Sequence, residues 1–377
     1  MKLNKELFTA GALLLAVFAT ASNAADRNLI YAVGLPEANN ILEGIVEVPE
    51  RLEDRTGGAL GVENHYLSLL NLAQTLGGLR DGIADIGFIV SAYHPAELPN
   101  MNLIVDLAVL GEDPVTMYAA FSEYALTSPT ILQEALNNGY VLLSIGAGAA
   151  YGLMSTEPMD TAAALKGKKI RSFAAFGRWA EGAEGIKVTM SFNDIYDALS
   201  RGGLDAVVVS PGSFFHQSFK DVASYYTDLT IGTFHGNQTG MNLDTWNSLT
   251  DEQRQVVFET YGVAMAEGVH ALNAFNQYVI DVKAEEAGLT ILEPKEDLVA
   301  YTNSFSESDI QFVIDSAEEK YGITNAADIV SEFSAVVEKW EKLFEGVDKS
   351  DFNAIDAIMQ KELWSQIDVS TLANPGS

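Results

Sequence analysis

The sequence predicts an α/β protein built as two lobes. Three observations carry that reading. Short apolar runs alternate with amphipathic stretches from residue 28 onward, the order expected of a largely parallel sheet flanked by helices. The 377 residues, 48% of them hydrophobic, suffice for two domains of ordinary size. A periodic segment from Thr250 to Gly288 is long enough to touch both.

The first residues form an export signal, expected over 1–25. Lys2 and Lys5 supply the positive start, 7–18 the apolar run, and Ser22-Asn23-Ala24 a small-x-small cleavage site. The run is too short for a membrane span. The chain contains no cysteine, which removes disulfides, thiol catalysis and a lipid-anchored cysteine at the cut. A Gram-negative periplasm fits these features. The formal charge is −30, and −31 once Lys2, Lys5 and Glu6 are gone. Such a surface argues against nucleic acid or anionic membrane as a partner and suits solubility in a salty habitat.

The elements follow in order. Residues 28–34 (NLIYAVG) read as a first strand, with Pro36-Glu37-Ala38-Asn39 as the turn after it. An amphipathic helix over 41–55 stops at Gly57-Gly58. A strand at 60–67, a helix at 70–81 and a strand at 85–90 complete a β-α-β-α-β lobe. Ligands of such sheets sit beyond the carboxyl ends of the strands, so loops 35–39 and 91–95 form the expected ligand edge. Helices at 113–125 and 130–138 lead to a strand at 140–145. The glycines that follow, Gly146, Gly148 and Gly152, have the spacing GxGxxxG and lead to Thr156-Glu157-Pro158 rather than to a helix. They read as a crossing between lobes, not a nucleotide loop.

Residues 165–211 hold the chemistry. Strands are expected at 169–173 and 206–210, with a helix between them capped by Asn193 or Asp194, facing Ile195, Tyr196 and Leu199 inward, and ended by Gly202-Gly203. The first strand carries Arg171 among apolar neighbours. An arginine cannot shed its proton, and its burial without a partner is costly. Arg171 therefore either has a protein carboxylate beside it, such as Asp205 or a glutamate, or waits for one from outside. A second crossing falls near 232–240. From Thr250, Val256, Val257, Tyr261, Met265, Val269, Leu272, Phe275 and Val279 recur at helical spacing, a helix of roughly 50 Å. Helices are expected at about 308–321, 326–344 and 351–367, with no chemistry in them. The expected division is 26–150 plus about 236–275 for the first lobe, and 151–235 plus about 276–377 for the second.

Several of these stretches resemble the substrate-binding proteins of tripartite ATP-independent periplasmic (TRAP) transporters, the DctP-type family. The most specific are LKGKKIR at 165–171, SFNDIYDAL at 191–199 and GLDA at 203–206 leading to Pro211. GIADIG at 82–87 and WNSLTDEQ at 246–253 add to them, and the likeness runs from about Leu29 to Leu292. The resemblance implies a two-lobe periplasmic binding protein fold with hinge strands and a long helix spanning both lobes. It implies closure on a small organic anion and delivery to membrane permease subunits. It also implies that Arg171 pairs with the ligand carboxylate and that Phe192 packs on the ligand. A guanidinium meets a carboxylate through two parallel hydrogen bonds, which suits that role.

The departures narrow the ligand. Relatives binding sugar acids or dicarboxylates often carry a second arginine where this chain has Tyr151. Polar positions of the family fall here on Val90 and Tyr93, on Ala174, and on Val209 or Ser210. One carboxylate anchor stays and most other polar hooks are lost. Phe173, Phe176, Trp179, Phe214 and Phe215 surround the same edge, as pocket or as core. Glu37, Asn39, Tyr93, His94 and His235 are candidate polar partners. A monocarboxylate with an apolar or aromatic body is the expected ligand, with a C4-dicarboxylate or other hydroxy or keto acid as the alternative.

An enzyme is the rival class. The chain has no GxSxG nucleophile motif, no phosphate loop and no metal-ligand spacing among His65, His94, His216, His235 and His270. No catalytic residue, metal or cofactor is expected, and the protein is expected to be monomeric.

Overall fold

The computed structural model describes residues 25–146 and 148–375. The expected export signal lies outside them but for its last residue. Among the described residues, no helix is long and apolar enough to cross a membrane.

The fold is α/β, with two sheets. The first holds β1 (Arg27–Val33), β2 (Leu60–Tyr66), β3 (Ile86–Val90) and β4 (Tyr140–Gly146), and β10 (Asn237–Asn242) inserts between β3 and β4. The first three strands run parallel, and β10 runs antiparallel to both neighbours. The second sheet has the order β11 (Thr290–Leu292), β9 (Tyr225–Thr233), β5 (Ala150–Ser155), β8 (Ala206–Val209), β6 (Lys169–Arg171) and β7 (Ile186–Val188). Two strand pairs link the sheets: β4 leads into β5 and β9 into β10. They run side by side, with Ala150 opposite Thr233 and Gly146 opposite Asn237.

The third link is the helix Asp251–Tyr278, opened by a capping box in which Thr250 and Gln253 satisfy each other's backbone groups. Val257, Tyr261, Met265, Val269 and Leu272 are buried in the first lobe's core. Gly268 lets it lie against the first lobe, since a Cβ there would sit 2.0 Å from the Ile41 carbonyl oxygen. A π turn at Val279–Lys283 interrupts the expected straight helix before Ala284–Ala287. The turn re-registers the apolar face: Val279 and Ala284 pack into the second lobe's core.

The central stretch holds more than one strand–helix–strand unit. A helix, Ala174–Gly182, and strand β7 lie between β6 and the expected helix, which forms at Ile195–Ser200 after a short 3₁₀ turn. Neither Asn193 nor Asp194 caps it through its side chain, and Tyr196 is only half-buried.

The C-terminal helices divide differently from the expectation. The helix Ala326–Leu343 packs on the first-lobe helix Pro114–Thr127, because Phe333 finds Phe121 and Tyr124 there and the Trp340 indole N–H donates to Glu123 at 2.7 Å. The helix Phe352–Glu362 also packs on the bridging helix. The helix Glu296–Tyr321 joins the lobes: Thr302 accepts from Trp179 of the second lobe, and Lys320 and Tyr321 donate to Asp106 of the first.

Candidate functional site

β6 alternates as a half-buried strand does. Lys169 is exposed, Ile170 enters the core, and Arg171 points to the opposite face. That face looks into a cavity between the lobes. Its walls come from the carboxyl ends of β1, β3, β6 and β8, from the two crossings and from Leu272 of the bridging helix. Loops 35–39 and 91–95 contribute Leu35, Asn39, Ala92 and Tyr93 to it.

Arg171 is 3% exposed as a residue. Its Nε–H and one Nη2–H donate to the Met190 carbonyl at 3.3 and 3.1 Å. Among the described residues no carboxylate lies within ion-pair distance of it. Asp205, the internal alternative, accepts instead from the Lys169 backbone N–H at 2.7 Å. Burial pushes the Arg171 group below its ordinary value, and Tyr93 and Tyr151 pull it back up. The group stays charged at any physiological pH. Its carbon lies 4.9 Å from the Phe173 ring centre and 6.0 Å from that of Phe192, so ring faces replace part of its lost hydration.

Phe173 reaches the cavity because the chain turns sharply after β6, with Ala174 at φ 48°, a left-handed conformation uncommon outside glycine. Tyr151 is stacked between Phe176 and Phe234, with ring centres at 5.2 and 5.8 Å. Burial raises its phenol, and Arg171 opposes that rise. Tyr93, of the first lobe, accepts a hydrogen bond at 3.0 Å from the backbone N–H of Phe192, of the second. The cavity is thus closed over by a direct bond between lobes.

Seven of the expected residues meet here: Asn39, Tyr93, Tyr151, Arg171, Phe173, Phe192 and Ser210. Three do not. Phe214 is 1% exposed and packs into the second lobe's core, beside Phe215. His235 faces away, its ring nitrogens 2.8 and 3.0 Å from the Thr233 and Ile104 carbonyl oxygens, to one of which the neutral ring donates, and its ring against Phe121. Burial lowers its pKa. Glu37 is exposed, outside the cavity, because its turn projects into solvent while Asn39 folds back to cap the next turn at Ile41. Of the aromatic group, Phe176 and Trp179 are fully buried core. His94 is also buried and off the cavity.

Sequence reasoning missed Ser213, His216, Phe234 and Asn237, which line the cavity. Phe234 and Asn237 flank the expected crossing residue His235, so the crossing itself was the available sign. Nothing local marks His216.

The family model for "Bacterial extracellular solute-binding protein, family 7", DctP, matches residues 31–309. The chain belongs to this family. A relative described as a solute-binding protein, from Albidiferax ferrireducens, is 28% identical over 254 residues, covering 64% of this chain and 72% of the relative. A TRAP solute-binding protein from a marine metagenome, specific for aromatic acid ligands and solved with metahydroxyphenylacetate, superposes with a TM-score of 0.73 at 21% identity. It covers 83% of this chain and 99% of that one. An extracytoplasmic solute receptor of Bordetella pertussis binding pyroglutamic acid gives a TM-score of 0.71 at 18% identity, covering 82% and 99%.

In this DctP-family chain, Arg171 is the one lysine or arginine that lines the cavity among the described residues. The remaining polar side chains there are neutral: Asn39, Tyr93, Tyr151, Ser210, Ser213, His216 and Asn237. Burial, with the charge of Lys283 added, lowers His216 to about 4, so the imidazole is uncharged at neutral pH. Among the described residues no cluster of histidines and carboxylates has the makings of a metal site. The arrangement offers one fork of N–H donors, apolar ring faces and a few neutral hydrogen-bonding groups.

Proposed function

We propose that this solute-binding protein captures a small monocarboxylate with a compact apolar or aromatic body, held by Arg171. The observation that carries the reading is a buried guanidinium with no internal carboxylate, facing a cavity walled by Phe173, Phe192, Phe234 and Tyr151. A ligand carboxylate would take its free N–H donors in two parallel bonds, each contributing about 1.5–3 kcal/mol. Few polar groups in an apolar pocket favour recognition by shape. A single cavity walled on several sides by aromatic rings suits a compact body rather than an extended chain. The marine relative's specificity for aromatic acids and the Bordetella receptor's pyroglutamic acid agree with this ligand class.

The dicarboxylate alternative meets a specific difficulty. With Arg171 the one cation lining the cavity among the described residues, a second carboxylate would be buried without a charged partner. A hydroxy or keto acid remains compatible, since Ser210, Ser213 and Asn237 offer neutral partners. Export through the N-terminal signal, a monomeric state in the periplasm and delivery to TRAP permease subunits complete the proposal.

Calorimetric titration with a panel of small acids tests it. Benzoate-like or other compact monocarboxylates should bind in the micromolar range or tighter, about −8 kcal/mol. A clear preference for succinate or malate over every monocarboxylate overturns the ligand class. Recovery of the acid chemically unchanged after incubation separates a binder from a periplasmic enzyme.

A further inference from the structure

His216 ends the short helix Ser213–His216 after β8 and lines the same cavity as Arg171. Two contacts fix its ring. It is stacked on Phe275 of the bridging helix, with ring centres 4.8 Å apart and planes at 22°. Its Nε2 lies 2.5 Å from the Asn40 side-chain oxygen, on the opposite lobe. The loop that carries it is seated on the same helix, where Asn276 accepts from the Gly212 N–H at 2.9 Å. With the Asn40 amide oxygen facing the ring, Nε2 is the nitrogen assigned the ring proton, since an amide oxygen only accepts. Burial and the nearby Lys283, which sits over the Phe275 and Phe215 rings, keep the imidazole neutral. Nδ1 is then a bare lone pair, and it has no hydrogen-bond partner among the described residues.

The geometry points to His216 as a specificity-determining residue whose Nδ1 accepts a hydrogen bond from an O–H or N–H group carried by the ligand away from its carboxylate. This rests on the monocarboxylate reading and deepens it. The bound acid is a hydroxylated or amide-bearing one, not a plain hydrocarbon acid. The reason is an asymmetry of cost: a site built around an acceptor rejects a ligand that lacks the donor, because the acceptor is left dry and unpaired.

Matched acid pairs differing only in the donor test this. Hydroxybenzoates are compared with fluorobenzoates at each of the three ring positions, fluorine being near-isosteric and unable to donate. A five-membered lactam carboxylate is compared with its lactone, which replaces N–H by O. In calorimetric titration, the donor of at least one pair should bind tenfold or more tighter than its partner. The pair that responds distinguishes a phenolic from an amide ligand. In His216→Phe, which keeps the ring stack on Phe275, that preference should fall to within about twofold. Asn40→Ala releases the ring proton from Nε2 and should weaken the preference without removing the ring, which guards against a misfolded His216→Phe. Equal binding of donor and non-donor acids to wild type, or a preference that survives His216→Phe, overturns the assignment and leaves Arg171 as anchor. Failure of every acid, fluoro and lactone included, overturns the carboxylate reading and this one with it.

Discussion

Two arginines, Arg171 buried and Arg178 partly buried, stand seven residues apart and live opposite lives. Arg178, on the helix Ala174–Gly182, is saturated by the protein. Its Nε–H and Nη2–H form a fork on Asp309 at 2.6 and 2.8 Å, and its Nη1–H donates to Asp106 at 3.1 Å. Lys320 and Tyr321 share Asp106 with it. Burial works against the Arg178 charge, but the two aspartates outweigh it and raise the group above its ordinary value. Arg171 has one backbone carbonyl and the neutral Tyr93 phenol beside it but no carboxylate within ion-pair distance among the described residues, and burial wins there. The comparison separates architecture from readiness. One guanidinium holds together a first-lobe segment, a second-lobe helix and the helix Glu296–Tyr321. The other is left with unspent donors where the lobes meet.

The largest expected effect breaks the first half of that contrast. Arg178→Met strands Asp309, 2% exposed at its side chain, and removes one of Asp106's cations. Breaking a buried pair from one side costs about 3–5 kcal/mol, read as a shift in the urea unfolding midpoint. Adding Asp309→Asn to that variant should return more than half of the loss. A single variant within about 1 kcal/mol of wild type would mean the network is ornamental.

Arg171→Met should do the reverse. Unliganded stability should stay within about 1 kcal/mol, since the lost bond to Met190 is offset by the removal of a buried charge. Binding of the best acid should weaken at least ~100-fold, about 2.7 kcal/mol. The midpoint gain that saturating acid gives wild type should vanish with it. A variant that unfolds instead of losing affinity would make Arg171 a second Arg178. Arg171→Lys keeps the charge but not the planar fork, so a smaller loss of roughly tenfold is expected from titration.

The contrast also explains what the sequence could and could not reveal. Arg171 was legible because a charge on a short apolar strand is anomalous wherever its partner is. Loops 35–39 and 91–95 were legible because strand order places carboxyl ends at the ligand edge. Arg178 was not, since its partners lie at positions 106 and 309 and no local pattern joins them. The same stretch left Phe176 and Trp179 open as pocket or core. The helix beginning at Ala174 turns both into the core, and of the three Phe173 stays at the cavity. At the second crossing, Phe234 and Asn237 face the cavity while His235 between them faces Phe121. The π turn at Val279–Lys283 has no periodic signature either, because the apolar spacing on each side of it is helical.

The smallest expected effect tests the partner that Arg171 does not have. Asp205 lies just before β8, the strand that pairs with β6, and was the internal carboxylate open to it by sequence. Its Oδ2 accepts from the Lys169 N–H, and its backbone N–H donates to the Lys169 carbonyl at 2.9 Å, so it staples the start of β6 rather than the arginine at its end. Asp205→Asn preserves an oxygen for that staple. Stability should change by less than about 1 kcal/mol, and acid affinity should stay within about twofold, far below the change expected at Arg171. Were Asp205 screening the guanidinium through some closed form of the cleft, its neutralisation would free the anchor and affinity would rise severalfold. Titration of the variant with the best-binding acid decides between these outcomes, and only the flat result leaves Arg171 reserved for a ligand.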